Sequence, residues 1–101
     1  MKNKKYSIKY SPFELNYKII FGKKCPCCTI DEVSKHNKTS DAWVVVDNYV
    51  IDVTNFIDDH PGGADLLLDK LGTDVSYIWH KYHHSNVIKD WFPKLIVAYL
   101  K

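Results

Sequence analysis

Four of the five histidines in this chain, His60, His80, His83 and His84, fall within one stretch, and they are the residues best suited to chemistry. A neutral imidazole keeps a nitrogen lone pair near neutral pH, which makes histidine a metal ligand as readily as a proton carrier. The three cysteines are a weaker prospect. Cys25, Cys27 and Cys28 stand together around Pro26, and nothing at finger-like spacing completes the four ligands of a structural zinc site. They are expected to be reduced and idle. Asp58, Asp59, Asp65 and Asp69 flank His60 and are expected to form a solvated face. His36 is expected near a helix end, as a cation on its last carbonyls, and His80 on a solvated helix surface.

The elements that must position these groups can be followed from Thr29. Thr29-Ile30-Asp31-Glu32 is a capping box, with Thr at the N-cap and Glu at N3, and it opens a short helix toward His36. Lys38 to Asp41 is expected to be a polar loop. Trp43–Val46 and Tyr49–Val53 are β-branched and aromatic, and Asp47-Asn48 between them tolerates positive φ, so this stretch predicts a β-hairpin. Thr54 can cap a brief helix over Asn55–Asp59, which His60-Pro61-Gly62-Gly63 must stop. A second helix is predicted from Ala64 to Leu71, ended by Gly72, and a third from Val75 to Lys81. Ser85 can cap a fourth over Asn86–Phe92, before Pro93. Leu95–Leu100 closes the order as a strand. Helix, hairpin, four short helices and strand make an α+β domain.

Connectivity makes the four helices two antiparallel pairs, each with histidine at its turn. Facing pairs would aim two imidazoles into a gap lined by Phe56, Leu66, Leu67, Trp79, Tyr82 and the apolar side of the fourth helix. One is His60, and the other comes from His80, His83 or His84. An apolar slot with opposed imidazoles suits haem iron held from both faces. Gly62 and Gly63, without Cβ atoms, let the backbone pass close to such a ring.

Composition bounds the alternatives. A chain of 101 residues with 46% hydrophobic and 14% aromatic content supports one globular core and no separate catalytic domain. All fourteen basic residues are lysine, so bidentate reading of bases has no arginine donor and sequence-specific nucleic-acid binding is excluded. No stretch approaches the about 18 apolar residues of a membrane span. Lys9, Glu14, Lys18 and Lys23 interrupt anything resembling a signal peptide, so a soluble cytoplasmic protein is expected. The net charge of +2 conceals an asymmetry: residues 1–28 carry seven lysines and one acid, whereas residues 29–101 carry seven lysines and eleven acids. Residues 1–28 therefore form a basic N-terminal extension in which only Tyr17–Phe21 could make a short strand. It is expected to be solvated or packed on the core, weak contact with an anionic membrane surface being the other use of such a tail.

The stretch from Thr29 to Leu100 resembles the cytochrome b5 domain. The resemblance is carried by Trp43, by Val50-Ile51-Asp52-Val53-Thr54 with Phe56, by His60-Pro61-Gly62-Gly63, by Gly72-Thr73-Asp74 and by His84-Ser85. Positions 60 and 84 are 24 apart, the usual separation in that family. The resemblance implies a small mixed β-sheet with two pairs of short helices forming a haem pocket over residues 29–101. It implies haem b with His60 and His84 as axial ligands, Ser85 as a donor to a propionate, and pocket contacts from Phe56, Pro61, Gly62, Gly63, Leu66, Leu67, Trp79 and Tyr82. The implied function is one-electron transfer by a monomer with no enzymatic activity of its own. Its donor would be a flavin-containing reductase, and its acceptor a lipid desaturase, a hydroxylase or a haem-thiolate monooxygenase. A haem- or ligand-binding module of the same fold without redox partners is the alternative. The chain differs from the family pattern at His83, where Gly is frequent, at Trp79, where Phe is usual, at Tyr82, where a smaller apolar residue is common, and at Ala98, where Gly is frequent.

With both axial positions filled, carbon monoxide added to the reduced protein should leave its absorbance spectrum unchanged. Rapid formation of a carbonyl complex would show instead that a position is open.

Overall fold

The computed structural model describes residues 17–58, 67–83 and 85–101, without the side chains of Asp58, Ser85 and Val87. Its elements are β1 (Tyr17–Ile20), β2 (Lys23–Cys28), α1 (Ile30–Ser34), β3 (Asn37–Lys38), β4 (Asp41–Val46), β5 (Tyr49–Asp52), α2 (Thr54–Asp58), a 3-10 turn (Leu68–Lys70), α3 (Ser76–Tyr82), α4 (Ser85–Leu95) and β6 (Ile96–Leu100). The capping box acts as expected: Thr29 Oγ1 accepts the Glu32 N–H at 3.2 Å. The predicted hairpin forms with Val46 opposite Tyr49. Its two turn residues, Asp47 (φ 53°) and Asn48 (φ 68°), both take the left-handed conformation that matches the twist of the flanking strands.

The strands form one mixed sheet in the order β1-β2-β6-β5-β4-β3. β2 and β6 run parallel, and the other neighbours run antiparallel. Both faces are covered. On one, Ala42, Val44, Val46, Ile51 and Ile96 pack against residues of the helical layer, with Trp79 and Phe92 at its centre. On the other, Val45, Val50 and Ala98 pack around Val33 of α1 and Cys28.

Four expectations need correction. Local pattern assigns no element to residues 23–28, yet they form β2, which pairs Cys27 with Tyr99 and Cys28 with Leu100 and so joins the N-terminal hairpin to the sheet. Lys-Lys-Cys-Pro-Cys-Cys has neither β-branched residues nor alternation, so pairing with β1 over Lys23–Pro26 and with β6 at Cys27 and Cys28 makes it a strand. The loop expected from Lys38 is likewise partly a strand, since Asn37 and Lys38 pair with Ala42 and Asp41. The last helix does not stop before Pro93 but continues to Leu95. Lys23 Nζ donates to the carbonyls of Pro93 at 3.0 Å and Ile96 at 3.3 Å. This brings a cation and two hydrogen bonds to a helix end whose carbonyls lack partners. Residues 64–66 of the helix predicted over Ala64–Leu71 lie outside the described residues; the rest is not α-helix but the 3-10 turn Leu68–Lys70, with Leu71 extended and Gly72 at φ +80° after it.

Cys25 and Cys28 are buried in opposite faces of the sheet and Cys27 is half-buried. Burial pushes the Cys25 thiol up in pKa despite the nearby Lys23 charge. Burial also raises Cys28, and Glu32 and Cys27 add to the rise. Thiolate is the reactive form, so both should resist alkylation. Iodoacetamide at pH 8 should modify Cys27 first in native protein and reach Cys25 and Cys28 only with denaturant, as peptide mass spectrometry would show. Equal labelling of all three would mean that β2 is not inserted in the sheet.

Candidate functional site

The helical layer is tied to the sheet by backbone and short polar side chains. After Gly72, the chain runs beside β4. Gly72 N–H donates to the Trp43 carbonyl at 2.7 Å, Val45 N–H to Thr73 at 3.0 Å, and Val75 N–H to Val45 at 2.8 Å. Asp74 Oδ1 then accepts from the Ser76 N–H at 2.9 Å and its hydroxyl at 2.6 Å, and Ser76 Oγ accepts the Asp47 N–H at 2.8 Å. The start of α3 is thereby held to the hairpin turn. Similar short polar contacts hold α2, where Asp52 Oδ1 accepts from the Thr54 N–H and hydroxyl, and Thr54 Oγ1 accepts the Ala42 N–H at 2.9 Å.

These anchors bring an aromatic group together. Trp79 is only 2% exposed. Its indole meets Phe92 of α4 edge-on with centroids 5.4 Å apart, and lies 6.3 Å from the ring of Phe56 on α2. The imidazole of His83 stacks on it at 4.2 Å, with planes 19° apart. Of the expected pocket contacts, Phe56, Leu67 and Trp79 thus belong to the buried cluster or pack against it. Tyr82 does not, because its position on α3 leaves it 58% exposed. His60, Pro61, Gly62, Gly63, Leu66 and His84 lie outside the described residues, as does the Ser85 side chain.

Two histidines are engaged elsewhere. Instead of meeting helix carbonyls, as expected, His36 places its Nδ1 2.9 Å from the Asp41 carboxylate and stacks its ring on Trp43 at 3.5 Å. Instead of being merely solvated, His80 places its Nε2 2.8 Å from an Asp47 carboxylate oxygen. Asp41 is five positions from His36 across the β3–β4 turn, whereas only the fold brings Asp47 to His80, 33 positions away. Among the described residues, no group of three or more His, Cys, Asp and Glu side chains could hold a metal ion.

The wall can be tested for its fit to haem. It is aromatic and aliphatic, as a large flat ring requires. The Trp79 indole N–H is buried and finds no hydrogen-bond acceptor among the described residues. An unused donor in an apolar wall is usually spent on something bound there or on water. A group that is flat, largely apolar and polar at its edge fits such a wall.

The family model for the "Cytochrome b5-like Heme/Steroid binding domain" matches residues 29–101. The chain belongs to the cytochrome b5 family. It is 42% identical over 70 residues to cytochrome b5 isoform E of Arabidopsis thaliana, covering 69% of this chain and 52% of that protein. The chain therefore spans about half the length of the curated cytochromes b5 it matches. An acyl-lipid (8-3)-desaturase B of Dictyostelium discoideum is 38% identical over 82 residues, which is 76% of this chain and 18% of that protein. The L-lactate dehydrogenase (cytochrome) of Saccharomyces cerevisiae is 49% identical over 60 residues, 59% of this chain and 10% of that protein. Among solved structures, cytochrome b5 of Ostreococcus tauri virus 2 superposes with a TM-score of 0.65 at 32% identity, covering 72% of this chain and 94% of that one. Cytochrome b558 of Ectothiorhodospira vacuolata, a prokaryotic homologue of cytochrome b5, also gives 0.65, at 25% identity over 75% of this chain and 99% of that one. The architecture is thus the cytochrome b5 fold, and residues 29–101 are a haem-binding domain consistent with electron transfer. No helix among the described residues is long and apolar enough to cross a membrane.

The unused indole donor predicts a small effect for one substitution and a large one for another. In haem-free protein, Trp79→Phe should change stability by no more than about 1 kcal/mol, because removal of the unsatisfied donor offsets lost contact area. Trp79→Ala should cost about 3–5 kcal/mol. Denaturant unfolding compares the two, and a large loss in Trp79→Phe would mean that the indole N–H is paired.

Proposed function

We propose that this chain is a one-electron carrier holding haem b between His60 and His84. The observation that carries the reading is the family match over residues 29–101, a span that contains both histidines and the Trp79 wall. The chemistry a bound haem supplies is ferric–ferrous interconversion without an open coordination site. His60 and His84 would ligate through neutral imidazole nitrogens. Phe56, Leu67 and Trp79 would exclude water from the ring, with Pro61, Gly62, Gly63 and Leu66 completing the pocket. Ser85 would donate to a propionate, while Tyr82, being exposed, would contribute at the rim if at all. A filled coordination sphere serves transfer rather than substrate chemistry, so the chain has no enzymatic activity alone.

A flavin-containing reductase would be the donor, and a desaturase, hydroxylase or haem-thiolate monooxygenase the acceptor. The desaturase among the relatives supports the acceptor class, since it carries a matching stretch. The carrier would work in the cytoplasm as a monomer, residues 1–28 forming its basic N-terminal extension ahead of the haem domain at 29–101. Reconstitution with haemin tests the whole reading. Wild-type protein should give a low-spin spectrum in both oxidation states, and His60→Ala should not retain haem. A chain that stays colourless would refute it.

Docking should depend on charge near the haem edge rather than on net charge. Asp58, Asp59, Asp65 and Asp69 lie along the stretch that carries His60, and Asp69 is exposed, with Lys70 Nζ 3.9 Å away. Exposed carboxylates contribute little to stability. Electron transfer from a basic-faced reductase should therefore slow as salt is raised, over a Debye length of roughly 10 Å at 0.1 M. Neutralising the four aspartates should flatten that dependence without changing the spectrum. A rate that responds only to lysine changes in residues 1–28 would place docking on the tail.

A further inference from the structure

We propose that His83 is an alternative axial ligand, so that this chain can hold haem iron between His60 and either His83 or His84. The inference rests on the haem-binding reading above. α3 ends at Tyr82, and His83 caps it in extended backbone (φ −130°, ψ 143°), its N–H still donating to the Trp79 carbonyl at 3.0 Å. The ring does not turn to solvent. It is half-buried and lies flat on the Trp79 indole, which is itself nearly inaccessible. His83 is thus placed against the same apolar wall that makes the candidate pocket.

Its hydrogen bonding also suits ligation. His83 Nδ1 lies 3.1 Å from the Trp79 carbonyl oxygen. A carbonyl can only accept, so Nδ1 carries the proton and the lone pair of the neutral ring is on Nε2. An N–H held by a backbone carbonyl is the arrangement that fixes tautomer and ring orientation in metal-binding histidines. His36 and His80 differ: each points a ring nitrogen at an exposed carboxylate, Asp41 or Asp47. Of the described histidines, only His83 combines an apolar wall with a carbonyl-oriented ring. Exchange would break the iron bond to His84 and form one to His83 Nε2. Both donors are neutral imidazoles, so neither site charge nor iron oxidation state changes.

The full chain should be reconstituted with haemin as wild type, His83→Ala, His84→Ala, the double variant and His60→Ala. Absorbance and low-temperature electron paramagnetic resonance report spin state, and transfer of haem to apomyoglobin reports retention. His84→Ala should stay low-spin, whereas the double variant should be high-spin and lose haem at least about tenfold faster. A high-spin His84→Ala that matches the double variant would overturn the proposal. If His84→Ala does not fold, as circular dichroism would show, His84→Asn is read by the same criteria. Wild-type protein that takes up no haemin, or an unchanged spectrum in His60→Ala, would overturn the haem-binding reading itself and this proposal with it.

Discussion

The pocket wall depends on a short parallel pairing between Gly72–Val75 and β4. Three backbone hydrogen bonds run from this segment to Trp43 and Val45, and they leave α3 only one place to begin. Gly72 makes the pairing possible. At φ +80° it takes a conformation unfavourable to other residues, and a Cβ there would stand 3.1 Å from the Ser34 Cα. The family's Gly-Thr-Asp turn thereby has a physical purpose in this chain. The glycine turns the backbone, Thr73 continues the pairing, and Asp74 satisfies the first N–H of α3 through Ser76. Trp79 then reaches the centre of the helical layer because the start of its helix is fixed at the sheet.

The N-terminal hairpin supports the opposite side of the same layer. β2 adds to the sheet beside β6, and Lys23 reaches the carbonyls that end α4. α4 supplies Phe92, whose ring meets both Trp79 and Tyr49 edge-on. Phe21, at the hairpin turn, touches Tyr49 in its turn at 5.6 Å. Residues that precede the matched family span thus contact the core through a continuous series of rings. Cys25 contributes to this packing as a small buried hydrophobe, from a segment expected to hold no element.

The histidines divide by what orients them. Carboxylates from strand and turn residues take His36 and His80, and such half-exposed pairs contribute modestly to stability at most. A backbone carbonyl and an indole face take His83. In this chain the indole at position 79 is the surface on which the imidazole at position 83 stacks. A wide indole gives the additional imidazole a surface to lie on, which a smaller ring would provide over less area.

Local signals alone determined much of this protein. The capping box at Thr29, the Asp47-Asn48 turn, the α+β order and the family's histidine spacing are all short-range patterns, set by dihedral preference, hydrogen bonding within a few residues, and motif. These are legible because neighbouring residues decide them whatever the rest of the chain does. What only the tertiary structure decided involves partners far apart in sequence. β2 joins the main sheet because β6 lies beside its last residues, the end of α4 meets Lys23 from 70 positions away, and Tyr82 is exposed because the anchored start of α3 sets which face turns inward. The Asp47 partner of His80 follows from the same cause, whereas His36 meets Asp41 and His83 meets Trp79 within five positions of chain. A side chain's chemistry is written in its type, but its neighbours come from the packing of distant segments, and no local pattern encodes that.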